Sequence, residues 1–116
     1  GTYVVRAKEK DEAHRLIEDA RALEEAGCFA IVLEKIPADL AAKVAKEVTI
    51  PIIGIGAGNG VDGQVLVVHD MLGINNEFSP RFLRKYHNLF QEMLGSFQRY
   101  IEDVKSGDFP NEEEQY

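Results

Sequence analysis

The sequence contains no tryptophan, only one cysteine, two methionines and four prolines among its 116 residues. A single cysteine, Cys28, excludes an internal disulfide framework and is typical of a reducing compartment. No signal-peptide pattern or apolar run near 18 residues is present, so nothing in the sequence suggests secretion, a membrane-spanning segment or a membrane partner. The formal charge of -7 argues against nucleic-acid binding. An initiator methionine is also missing at Gly1, so we expect a segment of a longer protein.

What is present indicates alternating strands and helices. After a short extended piece over Gly1 to Lys10, apolar residues recur at helical spacing from Asp11 to a stop at Gly27. An apolar run, Phe29 to Leu33, predicts a parallel strand buried on both faces, and Pro37 opens an alanine-rich helix over 38–47. The apolar segments 51–58 and 64–69 predict two further strands, so the fold class is α/β with a parallel sheet.

The end of the chain is predicted to be helical. Ser79 and Pro80 form a cap-and-proline start, and apolar residues then recur from Phe82 to Val104 over a long helix that ends at Ser106 and Gly107. Residues 110–116 form an acidic tail. We therefore expect one segment of a domain over 1–109, incomplete alone because three parallel strands cannot close a barrel.

Glu34 is the best candidate for chemistry, because it follows a buried strand at the end that faces the ligand crevice in parallel sheets. A solvated charge that closes the strand would look the same. The other polar candidates have weaker support. Adjacent strand residues such as His69 and Asp70 point to opposite faces, Ser79 sits at a helix cap, and no metal-binding spacing is present.

The glycines between Gly54 and Gly63 include a formal G-x-G-x-x-G. That fingerprint must open a helix, whereas here it runs into a predicted strand. Two interpretations stay open: the glycines allow a ligand or a neighbouring segment to approach the backbone closely, or they only shape a tight turn.

Three segments make the sequence recognisable: V-L-E-K-I-P at 32–37, I-P-I-I-G-I-G-A-G-N-G-V-D-G-Q-V-L-V-V-H-D at 50–70, and S-P-R-F-L-R-K-Y at 79–86. With them, the chain resembles the C-terminal part of the ketopantoate hydroxymethyltransferases over about residues 1–109. The resemblance implies a (β/α)8 barrel of the phosphoenolpyruvate-type superfamily. It also implies a cytoplasmic homo-oligomer that acts in pantothenate synthesis and depends on Mg²⁺.

The resemblance further implies that Glu34 is the proton acceptor. The implied reaction removes a proton from 3-methyl-2-oxobutanoate and adds the one-carbon unit of 5,10-methylenetetrahydrofolate, giving 2-dehydropantoate. The family's magnesium-binding acids lie in the N-terminal half of the barrel, so no metal ligand and no cofactor-binding residue is assigned here. Lys35 stands where many members have cysteine, and we expect little effect because it alternates away from the Glu34 face.

Two alternatives to this function stay open. One is a related barrel lyase or mutase that acts on another 2-oxo acid. The other is an inactive half-barrel that serves as an assembly module.

Overall fold

The computed structural model describes residues 9–116, which form two compact units, one ending at Leu66 and one from Val67 to Tyr116. Most of the extended piece predicted over Gly1 to Lys10 lies outside these residues. Among the helices of the described part, none is long and apolar enough to cross a membrane. The division into a domain segment 1–109 and a tail stays a prediction.

The described residues of the first unit, 9–66, form a three-stranded parallel sheet and two helices. Its elements in chain order are α1 (Lys10–Glu25), β1 (Ile31–Glu34), α2 (Ala38–Glu47), β2 (Ile52–Ile55) and β3 (Gly63–Gln64). The strand order is β1-β2-β3, and both pairs are parallel. The prediction of an α/β fold with a parallel sheet is therefore confirmed.

Helix α1 ends where the sequence predicts. Gly27 adopts a positive φ of 94°, its N–H donates to the Glu24 carbonyl, and the Cys28 N–H donates to the Leu23 carbonyl. This pair of bonds is a Schellman motif, which satisfies the last carbonyls of the helix. Helix α2 matches its predicted bounds of 38–47, and Pro37 is the residue immediately before its first turn.

The core lies between the two helices and one face of the sheet. Its buried apolar side chains form one cluster: Ala20, Ile31, Leu33, Ile36, Leu40, Ala41, Val44, Val48, Ile52 and Ala57. Polar contacts also join α1 to the end of α2, since Arg21 pairs with Glu47 and the Glu24 carboxylate accepts from Thr49. The apolar faces of both helices thus pack in the core, as the spacing of their apolar residues predicts.

The prediction that β1 is buried on both faces is wrong for the described residues. The strand covers Ile31–Glu34 rather than Phe29–Leu33, and Phe29 is 90% exposed. Ile31 and Leu33 face the core, whereas Val32 is 60% exposed and Glu34 is exposed. The reason is that α1 and α2 cover one face of the sheet, and the described residues leave the other face open.

The chain after β2 differs from its predicted form in two places. The predicted strand 64–69 is reduced to the two residues of β3, and Val68–Met71 form a short helix, α3. The predicted helix start at Ser79 and Pro80 is a turn instead, in which the Leu83 N–H donates to the Pro80 carbonyl at 3.1 Å. The long helix, α4, begins only at Leu89 and ends at Ser106, with Gly107 at a φ of 82°.

Backbone pairing explains the late start of α4. The N–H groups of Tyr86, Leu89 and Phe90 donate to the carbonyls of Met71, Leu72 and Gly73 at 2.7 to 3.0 Å. These bonds hold the chain before α4 against the end of α3. A β-carbon at Gly73 would lie 3.0 Å from the Cα of Asn88 and closer still to the His87 carbonyl, so glycine permits this approach.

The acidic tail has defined structure at its centre. Glu112–Glu114 form a 3-10 helix with a capping box at its start. The Asn111 side-chain oxygen accepts the Glu113 N–H at 2.9 Å, and the Glu114 carboxylate accepts the Asn111 N–H at 3.1 Å. The Phe109 ring meets the Tyr100 ring edge to face, with the ring centroids 5.8 Å apart. The end of α4 is thereby joined to the segment that follows it.

Candidate active site

Glu34 is the last residue of β1 and lies at the carboxyl end of the parallel sheet. Its Cα pairs in register with that of Ile55, the last residue of β2. The carboxylate is exposed and has no hydrogen bond or ion pair with the other residues of the range 9–116. The structure therefore offers an accessible acceptor on a rigid strand, which is the arrangement that a general base needs.

The neighbours of Glu34 on its face of the sheet are apolar. Val32 precedes it by two residues, so the two side chains share one face, and Ile53 and Ile55 pair with these positions on β2. Ile53 and Ile55 are half-buried. A carboxylate beside three branched apolar side chains could act on a substrate whose carbon skeleton is itself branched and apolar.

Lys35 changes the direction of the chain directly after Glu34. Its φ is +51°, the left-handed region that residues with a β-carbon rarely adopt, and its N–H donates to the Ile55 carbonyl at 2.9 Å. Lys35 is 6% exposed and thus continues the alternation of buried and exposed positions along β1. The prediction that it has little effect on the site is not tested, but its burial and backbone conformation make it part of the packed structure.

The glycine-rich segment after β2 takes the place of a crossover helix. Parallel strands are ordinarily joined by a dozen or more residues, yet residues 56–62 join Ile55 to β3 directly. A β-carbon at Gly58 would lie 2.5 Å from the Ala38 Cβ, and one at Gly60 would lie 2.8 Å from the Ala42 Cβ. The segment thus runs along α2, and the neighbour it approaches closely is a helix.

The two contacts lie on one face of α2. Ala38 and Ala42 are four residues apart, so they are neighbours on the helix surface, about 6 Å apart along its axis. Gly58 and Gly60 contact these two successive positions. The formal dinucleotide fingerprint does not open a helix here, because it ends in β3.

Two polar residues of this region were not identified from the sequence as structural. The Asp62 carboxylate accepts the Ile52 N–H at 2.8 Å, and the Asp62 N–H donates to the Ile52 carbonyl at 2.9 Å. The Gln64 side-chain amide donates to the Gly58 carbonyl at 2.8 Å. The D-G-Q motif therefore aligns β2 and holds the glycine-rich segment. The available signal was an aspartate within the glycine cluster, directly before Gly63.

The other candidates from the sequence lie on different elements from Glu34. His69 and Asp70 lie on α3 rather than at a strand end, so the argument from opposite faces of a strand does not apply. His69 is exposed, whereas Asp70 is 8% exposed. Cys28 is half-buried, in keeping with a small packing residue.

Within residues 9–116, no three histidine, cysteine, aspartate or glutamate side chains come together as a metal site would require. These residues therefore do not fit a magnesium ion by themselves. The chemistry of this chain has to be derived from Glu34 and its surroundings.

The carboxyl end of a parallel strand is where barrels and doubly wound sheets of the α/β class carry their functional sites, and Glu34 lies at such an end. The comparison with known families is more specific. The family model for ketopantoate hydroxymethyltransferase matches residues 1–112. The chain belongs to this family.

Individual relatives agree with the family match. The chain is 73% identical over 116 residues to the 3-methyl-2-oxobutanoate hydroxymethyltransferase of Parabacteroides distasonis. It is 69% identical to the protein of that name from Flavobacterium johnsoniae and 68% identical to that of Bacteroides thetaiotaomicron, again over 116 residues. All of this chain is covered in each alignment.

The chain spans less than half the length of these relatives, namely 42% of the P. distasonis and B. thetaiotaomicron proteins and 43% of the F. johnsoniae protein. It therefore corresponds to a part of those proteins. The predicted placement in their C-terminal part is not confirmed by these matches.

Proposed function

We propose that this chain carries the proton-abstracting glutamate of an enzyme that transfers a hydroxymethyl group to 3-methyl-2-oxobutanoate in pantothenate synthesis. The observation that supports it is the position of Glu34, exposed at the carboxyl end of a strand in a chain of the ketopantoate hydroxymethyltransferase family. Relatives named for this activity are 65% to 73% identical.

In the proposed reaction Glu34 accepts the proton from the carbon next to the keto group. The C–H bond breaks, its electron pair moves toward the keto oxygen, and the resulting enolate attacks the methylene carbon of 5,10-methylenetetrahydrofolate. The C–C bond forms as one C–N bond of the donor breaks, and a water molecule supplies the hydroxyl group as the second C–N bond breaks. The proton taken up by Glu34 and one proton of the water end on the two donor nitrogens, so the products are tetrahydrofolate and 2-dehydropantoate. A positioned carboxylate contributes roughly 10²- to 10⁴-fold to such a proton transfer.

The apolar surface beside Glu34 suits this substrate. The carbon that loses the proton carries two methyl groups, which can pack against Val32, Ile53 and Ile55. Apolar packing beside the reacting carbon also excludes water that would otherwise compete for the carboxylate. This fit supports a branched 2-oxo acid over one that carries a charged side chain.

The proposed catalyst needs more of the protein than this chain provides. The family resemblance implies a (β/α)8 barrel, of which the described sheet supplies three strands. We propose that the remainder of the barrel completes the substrate pocket and holds the Mg²⁺ ligands, which the described residues do not assemble. A homo-oligomeric assembly and a cytoplasmic location are further parts of the prediction.

The first experiment restores the missing part of the barrel. In the P. distasonis relative, the matched 116 residues are replaced by this chain, and the product is called here the completed enzyme. At 73% identity the interfaces with the rest of the barrel should be retained. We expect hydroxymethyl transfer from the folate donor at a rate within about tenfold of the relative's own, since core-conserving substitutions cost little.

The second experiment tests the base. Glu34→Gln in the completed enzyme should lower transfer by roughly 10²- to 10⁴-fold and stop deuterium exchange at the substrate carbon, while the keto acid still binds. Asp39→Asn, an exposed change on α2, is the matched control and should leave both rates unchanged. Undiminished deuterium exchange in Glu34→Gln would contradict the assignment of Glu34 as the base.

The outcomes also separate the alternatives. Exchange without transfer from the folate donor would indicate a related lyase or mutase that acts on another 2-oxo acid. A completed enzyme that folds but binds no keto acid would indicate an inactive assembly module.

A further inference from the structure

The chain between Glu34 and α2 is fixed at each of its residues. Lys35 is buried in a left-handed conformation with its N–H bonded to Ile55, and Ile36 is 7% exposed. Pro37 has its φ fixed by its ring and lies at -52°. A displacement of the first residue of α2 would therefore be transmitted back to Glu34 along three residues that have little freedom.

The first residue of α2 is itself held by the glycine-rich segment. Ala38 lies so close to Gly58 that a β-carbon on residue 58 would stand 2.5 Å from the Ala38 Cβ and 3.1 Å from its Cα. Such distances are not tolerated between real β-carbons, so any side chain at residue 58 must displace the start of α2 or the segment itself.

Gln64 fixes the other partner of this contact. Its side-chain amide donates to the Gly58 carbonyl at 2.8 Å, and its backbone pairs with Gly54 on β2. The contact thus links the sheet, through Gln64 and Gly58, to the start of α2.

We propose that the contact between Gly58 and Ala38, held by Gln64, positions Glu34 for proton abstraction. The inference rests on the function proposed above and adds three positioning residues to the single base. Reaction rates are sensitive to such placement, because a displacement near 1 Å can cost on the order of 100-fold. Gly58 and Gln64 act through Glu34 and need not touch the substrate.

Gly58→Ala in the completed enzyme is the direct test. The added methyl should lower kcat and the deuterium-exchange rate together, by about 10- to 100-fold, with the KM for the keto acid nearly unchanged. Ala38→Gly in the same molecule removes the atom that clashes and should restore most of kcat. A loss of kcat that persists in the folded double variant would overturn the proposal.

Gly60→Ala is the matched control, because its added β-carbon would meet Ala42 at 2.8 Å, one helical turn farther from Glu34. It should reduce stability, and Ala42→Gly should relieve that loss. Because Ala42 lies outside the segment that joins α2 to Glu34, kcat should stay within about twofold, a very small change in barrier height. Equal losses of kcat in Gly58→Ala and Gly60→Ala would show that general packing, rather than placement of the base, is affected.

Gly27→Ala measures the cost of a positive φ alone, because Gly27 has a φ of 94° and open space around it. It should leave kcat unchanged. If Gly58→Ala does not fold, Gln64→Met provides a second route, since methionine keeps the volume and removes the donor to Gly58. We expect the same fall in kcat at an unchanged KM, and an unchanged kcat would contradict the proposal.

The failure of this inference is distinguishable from failure of the proposed function. If the unmodified completed enzyme transfers no hydroxymethyl group, the proposed function fails. If it transfers the group and Gly58→Ala and Gln64→Met keep full kcat, only the positioning role fails.

Discussion

The two compact units of the chain bury very different residues. Ten apolar side chains are buried among the described residues 9–66, whereas the buried residues described from Val67 onward are Asp70 and Gly73. Helix α4 has the periodicity of an amphipathic helix, yet none of its 18 residues is buried. The helical spacing of apolar residues therefore predicts a helix in both units. Only in the first unit are the apolar residues of that pattern buried.

The largest contrast should come from truncating one apolar side chain in each unit. Ile52 is fully buried, and Ile52→Ala should cost about 2–5 kcal/mol of unfolding free energy. Phe97 on α4 is 62% exposed, and Phe97→Ala should change it by less than about 0.5 kcal/mol. Urea unfolding of the chain followed by circular dichroism suits this measurement, as the sequence has no tryptophan.

Comparable losses of unfolding free energy in the two variants would contradict the difference in burial between the two units. Hydrogen exchange resolved by residue adds a second measurement, because locally unfolding regions exchange independently of the global transition. Amides of β1 and β2 should then lose protection in Ile52→Ala and keep it in Phe97→Ala.

The second prediction concerns a tight contact within the unit from Val67. Gly73→Ala adds a methyl group against the backbone of His87 and Asn88 at a φ of 67°. The left-handed conformation costs about 1–2 kcal/mol and the overpacking about 1–3 kcal/mol. Gly107→Ala has a similar φ of 82° but open space, so it isolates the conformational cost.

The difference between these two variants measures how firmly the segment before α4 is held. A thermal unfolding series gives both values under the same conditions. Equal destabilisation would mean that the pairing of 86–90 with 71–73 gives way without cost, which would contradict the structure.

The third prediction compares polar contacts in the two units. Asp62→Ala leaves the N–H of fully buried Ile52 without its side-chain acceptor, which should cost about 1–3 kcal/mol. Asn111→Ala removes the cap of an exposed 3-10 helix and should cost about 0.5–1 kcal/mol, the low end for a cap. Chemical denaturation of both variants tests the order, and the opposite order would show that β2 does not depend on Asp62.

The smallest effect should be a pH dependence within the first unit. The Thr49 hydroxyl, and after it the Thr49 backbone N–H, hold the pKa of Glu24 below its ordinary value. The unfolded chain therefore binds the proton more readily than the folded one. This contribution to stability is complete above the ordinary pKa of glutamate, about 4.3, and is lost as the pH falls below it.

Glu24→Gln should slightly reduce the loss of stability at acidic pH, while Glu18→Gln, on the same helix, should leave that loss unchanged. The midpoint of urea unfolding measured from pH 7 to pH 3 gives the comparison. Parallel curves for Glu24→Gln and the unmodified chain would contradict the assigned cause of the shift.

The sequence by itself determined the elements whose signals are local. The bounds of α2, the glycine that ends α1 at Gly27 and the stop of α4 at Gly107 follow from periodicity and from backbone conformations that favour glycine. The place of Glu34 at a strand end also follows, because a run of branched apolar residues stops there. Its role as the base remains a prediction that depends on the family resemblance.

Only the tertiary structure decided the segments where local signals compete with pairing. The apolar residues before Asp70 have high strand propensity, yet Val68 begins a helix, and the cap-and-proline signal at Ser79 yields to the backbone bonds of 86–90. The bonds of Asp62 and Gln64 and the seating of Gly58 against Ala38 likewise join residues distant in sequence. A short stretch of sequence does not contain both partners of such a contact, so it cannot indicate the free energy of that contact. The contacts proposed to position Glu34 are therefore visible only in the tertiary structure.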